Sequence, residues 1–353
     1  MHRLLTALRR GFKNKVGWKR LGVAASLVII VFAVMTLVRT LKGVDGGVIL
    51  VALTEKSPMQ IALAALCVVG AFCTLTFYDY FALRTLGVTH VPYRIAALSS
   101  FTSYSIGHNI GATVFTGGAI RFRIYSDYGL SAIDVAKICF LSGLTFWLGN
   151  IFVLGIGMTI HPEAAGMMDL LPGPINRLIG IGCVAGIVAY LVWIAQGDGR
   201  RQLGQNGWKV ILPSGRLTVL QILIGVVDLG FCALAMYMLV PDEPNLGFVV
   251  VAVIFVSATL LGFASHSPGG LGVFDAAMLV GLWQMDKEVL LAGMLLFRLL
   301  YYILPFMLSV MLLTFREITI GARMQRLGRD GDGADANPGR DVLRSGKYGD
   351  TGA

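Results

Sequence analysis

Ionisable side chains are rare inside the long apolar runs of this sequence, and those present are the first candidates for chemistry. Asp79 lies in FYDYFALR, Arg121 and Arg123 in AIRFRIY, Asp228 in GVVDLGF, Asp275 in GVFD and Arg298 in LLFRLLYY. A charge at the centre of a spanning helix costs roughly 2.5–3.5 kcal/mol, so such residues face a protein interior or a water-filled cavity and are paired. One arrangement is a polar cavity. Arg121 and Arg298 would hold a phosphate there, while the aspartates hold an ammonium or balance the arginines. The competing arrangement is structural, with Asp–Arg pairs fixing helix packing. His108 and His266 are read as hydrogen-bonding residues, and Asn150 as an interhelical hydrogen bond. The five histidines show neither HExxH nor HxxxH spacing, so no metal site or cofactor is expected.

Two interrupted segments would position these groups. Residues 99–118 read SSFTSYSIGHNIGATVFTGG, in which ten of twenty are Ser, Thr, Tyr, His or Asn and four are Gly. No lipid-facing helix has this composition, and irregular backbone survives at membrane depth only where protein or a cavity satisfies it. A re-entrant cavity lining with Asn109 in its polar wall is expected, with breaks among Gly107, Gly111, Gly117 and Gly118. The alternative is a small-residue packing face, since Gly107 and Gly111 also form a GxxxG pair. Residues 265–275 read SHSPGGLGVFD. There Pro268, Gly269 and Gly270 predict a second break, or a plain loop between two short spans.

The elements carrying these segments set the fold class. AVILMFWYC residues make up 56% of the 353 residues and DEKR 14%; the mean hydropathy is +0.74. A soluble surface needs roughly a quarter to a third charged residues, so this chain cannot cover itself with polar groups. Composition therefore predicts an all-α polytopic membrane protein. It excludes a nucleic-acid binder, a cytosolic enzyme and a secreted disulfide scaffold. The five cysteines are odd in number, lie in apolar runs without a CxxC pair, and read as small buried hydrophobes.

Spans need about 20 apolar residues, which predicts helices at 21–41, 59–83, 133–160, 175–195, 217–240 and 288–313. The interrupted stretches 95–120 and 247–283 bring the hydrophobic segments to about eight. Residues 1–20 hold seven Lys or Arg and no acid, and stay cytoplasmic with 21–41 as an uncleaved first helix. Lys and Arg elsewhere prefer both broken segments to enter and leave on one side. The order becomes an inverted-topology repeat: 21–160 as the first membrane repeat, 161–174 as an external loop and 175–315 as the second. A cytoplasmic tail, 316–353, loses structure from about 328. Breaks at matching positions of inverted halves point to a transporter site. No Walker A, GxSxG or GxGxxG motif appears, so no ATP engine and no enzyme is expected.

The two broken segments also carry a family pattern. FTSYSIGHNIGATVFTGGAIRFRIYSDYGLS, residues 101–131, and SHSPGGLGVFDAAMLVGL, residues 265–282, resemble the lysylphosphatidylglycerol synthase transmembrane family in its stand-alone YbhN-type form. The resemblance covers roughly residues 20–320. It implies the flippase-like half of two-part members whose soluble synthase domain this sequence lacks. It carries that family's membrane acid and arginine onto Asp79 and Arg121. The function implied is a flippase or scramblase moving a phospholipid, aminoacylated or otherwise modified, across the bacterial inner membrane. An ion-coupled transporter of a small solute and a non-transporting scaffold for a lipid-modifying enzyme are the alternatives. Nucleic acid is not an expected partner.

Overall fold

The computed structural model describes residues 56–334 together with Gly47, Leu50 and Thr54, apart from positions 112, 197–200, 205–208 and 266–267. The expected helix 21–41, His266 and the tail beyond 334 lie outside the described residues. The described chain divides at Val310 into two units, and the second, from Met311, continues the last helix to Ala334.

The helices are α1 (Pro58–Thr85), α2 (Tyr93–Ile110), α3 (Thr113–Tyr125), α4 (Ala132–Ile160), α5 (Pro162–Asp169), α6 (Gly173–Ala195), α7 (Gly215–Leu239), α8 (Phe248–Ala264), α9 (Val273–Gly281), α10 (Lys287–Arg298) and α11 (Leu304–Ala334). A π turn, Leu299–Ile303, joins α10 to α11. One small hairpin, Gln202–Leu203 with Val210–Ile211, lies between α6 and α7. The protein is an all-α polytopic membrane protein. Five described segments are long and apolar enough to cross a bilayer: α1, α4, α6, α7 and the run Lys287–Ile320.

Local sequence explains the boundaries. Ser57 and Gln60 form a capping box with Pro58 in the first turn of α1, and Ser131 and Asp134 repeat the device at α4. Gly111, at φ 85°, stops α2. Positive φ is nearly free for glycine and strained for other residues. The order then repeats: a long helix (α1, α7), a broken pair (α2–α3, α8–α9) and a second long helix (α4, then α10 onward). Nine residues of α9 rise only about 14 Å, less than half of a ~30 Å hydrocarbon core, so α9 cannot cross alone.

The two matching long helices, α1 and α7, pack on each other. Ala64, Cys67, Ala71 and Leu75 recur at helical spacing on α1 and meet Leu229, Cys232, Ala233 and Met236 of α7. Lipid is as apolar as leucine, so burial alone does not drive this contact; small residues that permit close approach do. A Cβ on Gly70 would lie 2.9 Å from the Phe231 ring, and one on Gly293 would collide with the Leu239 carbonyl oxygen. Outward faces such as Leu66 and Leu178 are exposed and apolar, as lipid contact requires. Cys67 and Cys232 are buried as expected, but Cys73 is exposed on α1. Apolar context alone does not distinguish lipid from core.

A close crossing, backbone against backbone, joins α4 to α7. A Cβ on Gly149 would sit 2.7 Å from the Gly225 Cα. Gly149→Val therefore separates the two helices and is expected to cost about 3 kcal/mol, in the range of core overpacking. Thermal unfolding in detergent checks this, and an unchanged melting temperature would show that the crossing has slack.

Candidate functional site

Asp79 is fully buried on α1. Arg121 Nε donates to both its oxygens at 3.0 Å, and Nη2 donates to Oδ1 at 2.9 Å. The Tyr125 hydroxyl donates to Oδ2 at 2.9 Å, and the Ser142 hydroxyl to Oδ1 at 3.1 Å. Arg121 and Tyr125, four residues apart on α3, share one face. Ser142 arrives from α4. One carboxylate thus ties three helices together. The guanidinium carbon also stands 4.8 Å from the Tyr104 ring centroid, a cation–π contact from α2. Nη1 makes none of the bonds to Asp79. It lies on the Gly117 side, where an added Cβ would be 3.2 Å away.

Asp228, on α7, is also buried but meets hydroxyls: Tyr78 donates at 3.0 Å and Thr74 at 3.3 Å. Both donors are one turn apart on α1. Among the described residues, no cation pairs with Asp228. Asp275 plays a third role. It accepts the Gly272 N–H at 3.0 Å, capping α9, and receives Arg298 Nη2 at 2.8 Å on each oxygen. The second broken segment is thereby clamped to α10.

Asn109 donates to the Ser105 carbonyl at 2.8 Å and across to the Tyr302 carbonyl at 3.1 Å. Tyr302 belongs to the π turn. Pro305, four residues after Tyr301, has no N–H to offer the Tyr301 carbonyl and its ring crowds it, which accounts for the irregular turn there. Asn109 satisfies a neighbouring carbonyl within that turn.

A cavity of about 360 Å³ lies between the two breaks. Gly111 borders it from the first, and Gly269 and Gly270 from the second. Both of the latter have positive φ. Tyr104 and His108 of α2, Gly143 and Trp147 of α4, and Phe263 of α8 complete much of the wall. Among the ionisable site residues expected from sequence, only Arg121 lines it. Asp79 stands behind Arg121, while Asp228, Asp275, Arg298 and Asn109 lie outside the lining. Gly107, Gly117 and Gly118 sit within helices rather than at the break, and Pro268 opens a short turn, Pro268–Gly270.

The hydroxyl-rich stretch also divides. Ser100 donates inward to the Leu75 carbonyl at 2.6 Å, and Thr102 to the Leu98 carbonyl at 2.7 Å. Both side chains are buried away from the cavity, whose wall takes its hydroxyls from Thr113, Thr259, Tyr104 and Tyr302 and is otherwise largely aromatic or glycine. Trp147, Phe263 and Tyr302 went unforeseen as lining residues. Among the described residues, no cluster of side chains suits a metal ion.

Membrane-length helices arranged around two interrupted segments define a multi-pass α-helical membrane protein. No family model matches the chain. It is 30% identical over 235 residues to the uncharacterized protein slr0712 of Synechocystis sp., covering 66% of this chain and 72% of that protein. It is 28% identical over 307 residues to the inner membrane protein YbhN of Escherichia coli, covering 84% and 93%. Phosphatidylglycerol lysyltransferase of Staphylococcus aureus is 24% identical over 319 residues, covering 86% of this chain but 35% of that enzyme. The chain belongs to the lysylphosphatidylglycerol synthase transmembrane family, as a YbhN-type member.

Proposed function

We propose that this protein moves a phospholipid between the leaflets of a bacterial inner membrane, with both termini cytoplasmic. The observation that carries this reading is the cavity between the two breaks, with one buried arginine in its wall and an apolar rim. Val114, Phe115 and Trp147 border it and are 72%, 81% and 52% exposed. Such a rim suits acyl chains that stay in lipid while a headgroup turns inward. Carrying a headgroup through hydrocarbon is expensive, and a polar group in the wall replaces part of its hydration. The S. aureus relative is named for action on phosphatidylglycerol, which supports a lipid substrate. The repeated element order supports rocking of one inverted repeat against the other.

Within this reading Asp79 orients Arg121, and Asn109 holds the π turn beside the cavity. Arg298 and Asp275 set the position of the second break, and Asp228 couples α7 to α1. The test is dithionite quenching of fluorescent phospholipid in proteoliposomes, with Asp79→Asn beside wild type. Wild type is expected to expose inner-leaflet label faster than the variant. Equal, background-level traces would remove passive lipid movement and favour a small solute, whose uptake would then persist alone.

A further inference from the structure

The cavity wall has one sign of charge. Among its described lining residues, the ionisable groups are Arg121, His108, Cys139 and the phenols of Tyr104 and Tyr302, with no Asp or Glu. The three membrane aspartates are all engaged elsewhere. Asp79 accepts from Arg121, Tyr125 and Ser142; Asp275 accepts from Gly272 and Arg298; and Asp228 accepts from Tyr78 and Thr74. An ammonium entering the cavity would find no carboxylate. An anion would find Arg121, whose Nη1 is not spent on Asp79.

We infer that the cavity selects a phospholipid headgroup with net negative charge, a phosphodiester bearing no amine, over zwitterionic or aminoacylated headgroups. This rests on the lipid-transport reading and narrows it. Arg121 is paired, so the wall offers the phosphate a charge-assisted donor and a positive dipole end rather than a bare cation. That favours one negative charge and disfavours added positive charge. Tyr104 already holds the Arg121 guanidinium over its ring, so an ammonium there would meet a like charge.

Gly143 allows a clean test. It lines the cavity, and a Cβ there meets nothing within 4 Å. Gly143→Asp adds a carboxylate to the wall at a position where the new Cβ has open space, and Gly143→Asn adds the same bulk without charge. Purified protein is titrated in native mass spectrometry with palmitoyl-oleoyl phosphatidylglycerol, lysyl-phosphatidylglycerol and phosphatidylethanolamine, and with free glycerol phosphate as a fourth arm. Wild type and Gly143→Asn are expected to bind phosphatidylglycerol about tenfold more tightly than the lysyl form, and Gly143→Asp to reverse that order. Lipid binding with no charge preference, or with the lysyl form favoured in wild type, overturns the inference and leaves lipid transport standing. Displacement of bound lipid by equimolar glycerol phosphate would assign the site to a soluble phosphate. No binding by any lipid sinks both readings.

Discussion

Arg121→Ala is expected to destabilise this protein by about 3–5 kcal/mol, the range for removing one partner of a buried ion pair. Asp79 stays fully buried and loses three hydrogen bonds, at 3.0, 3.0 and 2.9 Å. The Tyr125 and Ser142 hydroxyls remain, but they carry no charge. α3 also loses its cation–π anchor on Tyr104. The cost comes mainly from the orphaned carboxylate rather than from the pair's own net value, and this distinction can be measured. The double variant Asp79→Asn with Arg121→Gln removes both charges and keeps hydrogen-bonding groups in place. It is expected to recover at least half the stability in chemical or thermal unfolding in detergent. It is not expected to recover lipid movement, because Arg121 is the charged group in the cavity wall. A double variant no more stable than Arg121→Ala would show that the ion pair itself, not relief of a buried charge, holds α1 to α3.

That pair also marks how far the sequence can be read. Among the described residues, the long helices were legible to within a few residues: 59–83 became Pro58–Thr85, and 217–240 became Gly215–Leu239. Length and hydropathy are strong signals summed over many residues. Which glycine breaks the first segment was not legible. Gly107, Gly111, Gly117 and Gly118 all permit a break, yet only Gly111 takes positive φ. Gly107 serves a close approach instead: a Cβ there would lie 3.0 Å from Thr113 Cγ2. Glycine permits a turn without compelling one, and packing from other helices decides. Pairing was harder still. Asp79 and Arg121 are 42 residues apart, and Asp275 and Arg298 are 23 apart. Residue type supplies candidates, but only the tertiary arrangement matches them. The serines of α2 looked like a cavity wall because a polar helix face fits either a cavity or a hydrogen-bonded interface. Ser100, bonded to the Leu75 carbonyl, belongs to the interface.

Gly143→Trp is expected to reduce lipid movement to the protein-free rate while leaving the unfolding free energy within about 1 kcal/mol of wild type. Introducing bulk into a packed core typically costs 1–3 kcal/mol because neighbours must move. Here the added side chain enters a cavity of about 360 Å³ with nothing within 4 Å of its Cβ. It would project beside Phe146 and Trp147, which already line that wall. The indole would take up space that a headgroup needs in the cavity that Arg121 lines. Fluorescent-lipid quenching in proteoliposomes gives the rate, and detergent unfolding gives the stability. Wild-type transport by a stable Gly143→Trp protein would move the lipid path outside the cavity. The remaining routes run along outward faces such as Leu66, Leu178 and Ile181, which are exposed and apolar. Those faces offer a headgroup no hydrogen bond and no charge, so they do little to lower the cost of crossing hydrocarbon. Occlusion that stops transport without unfolding would therefore tie lipid movement to the space between the two breaks.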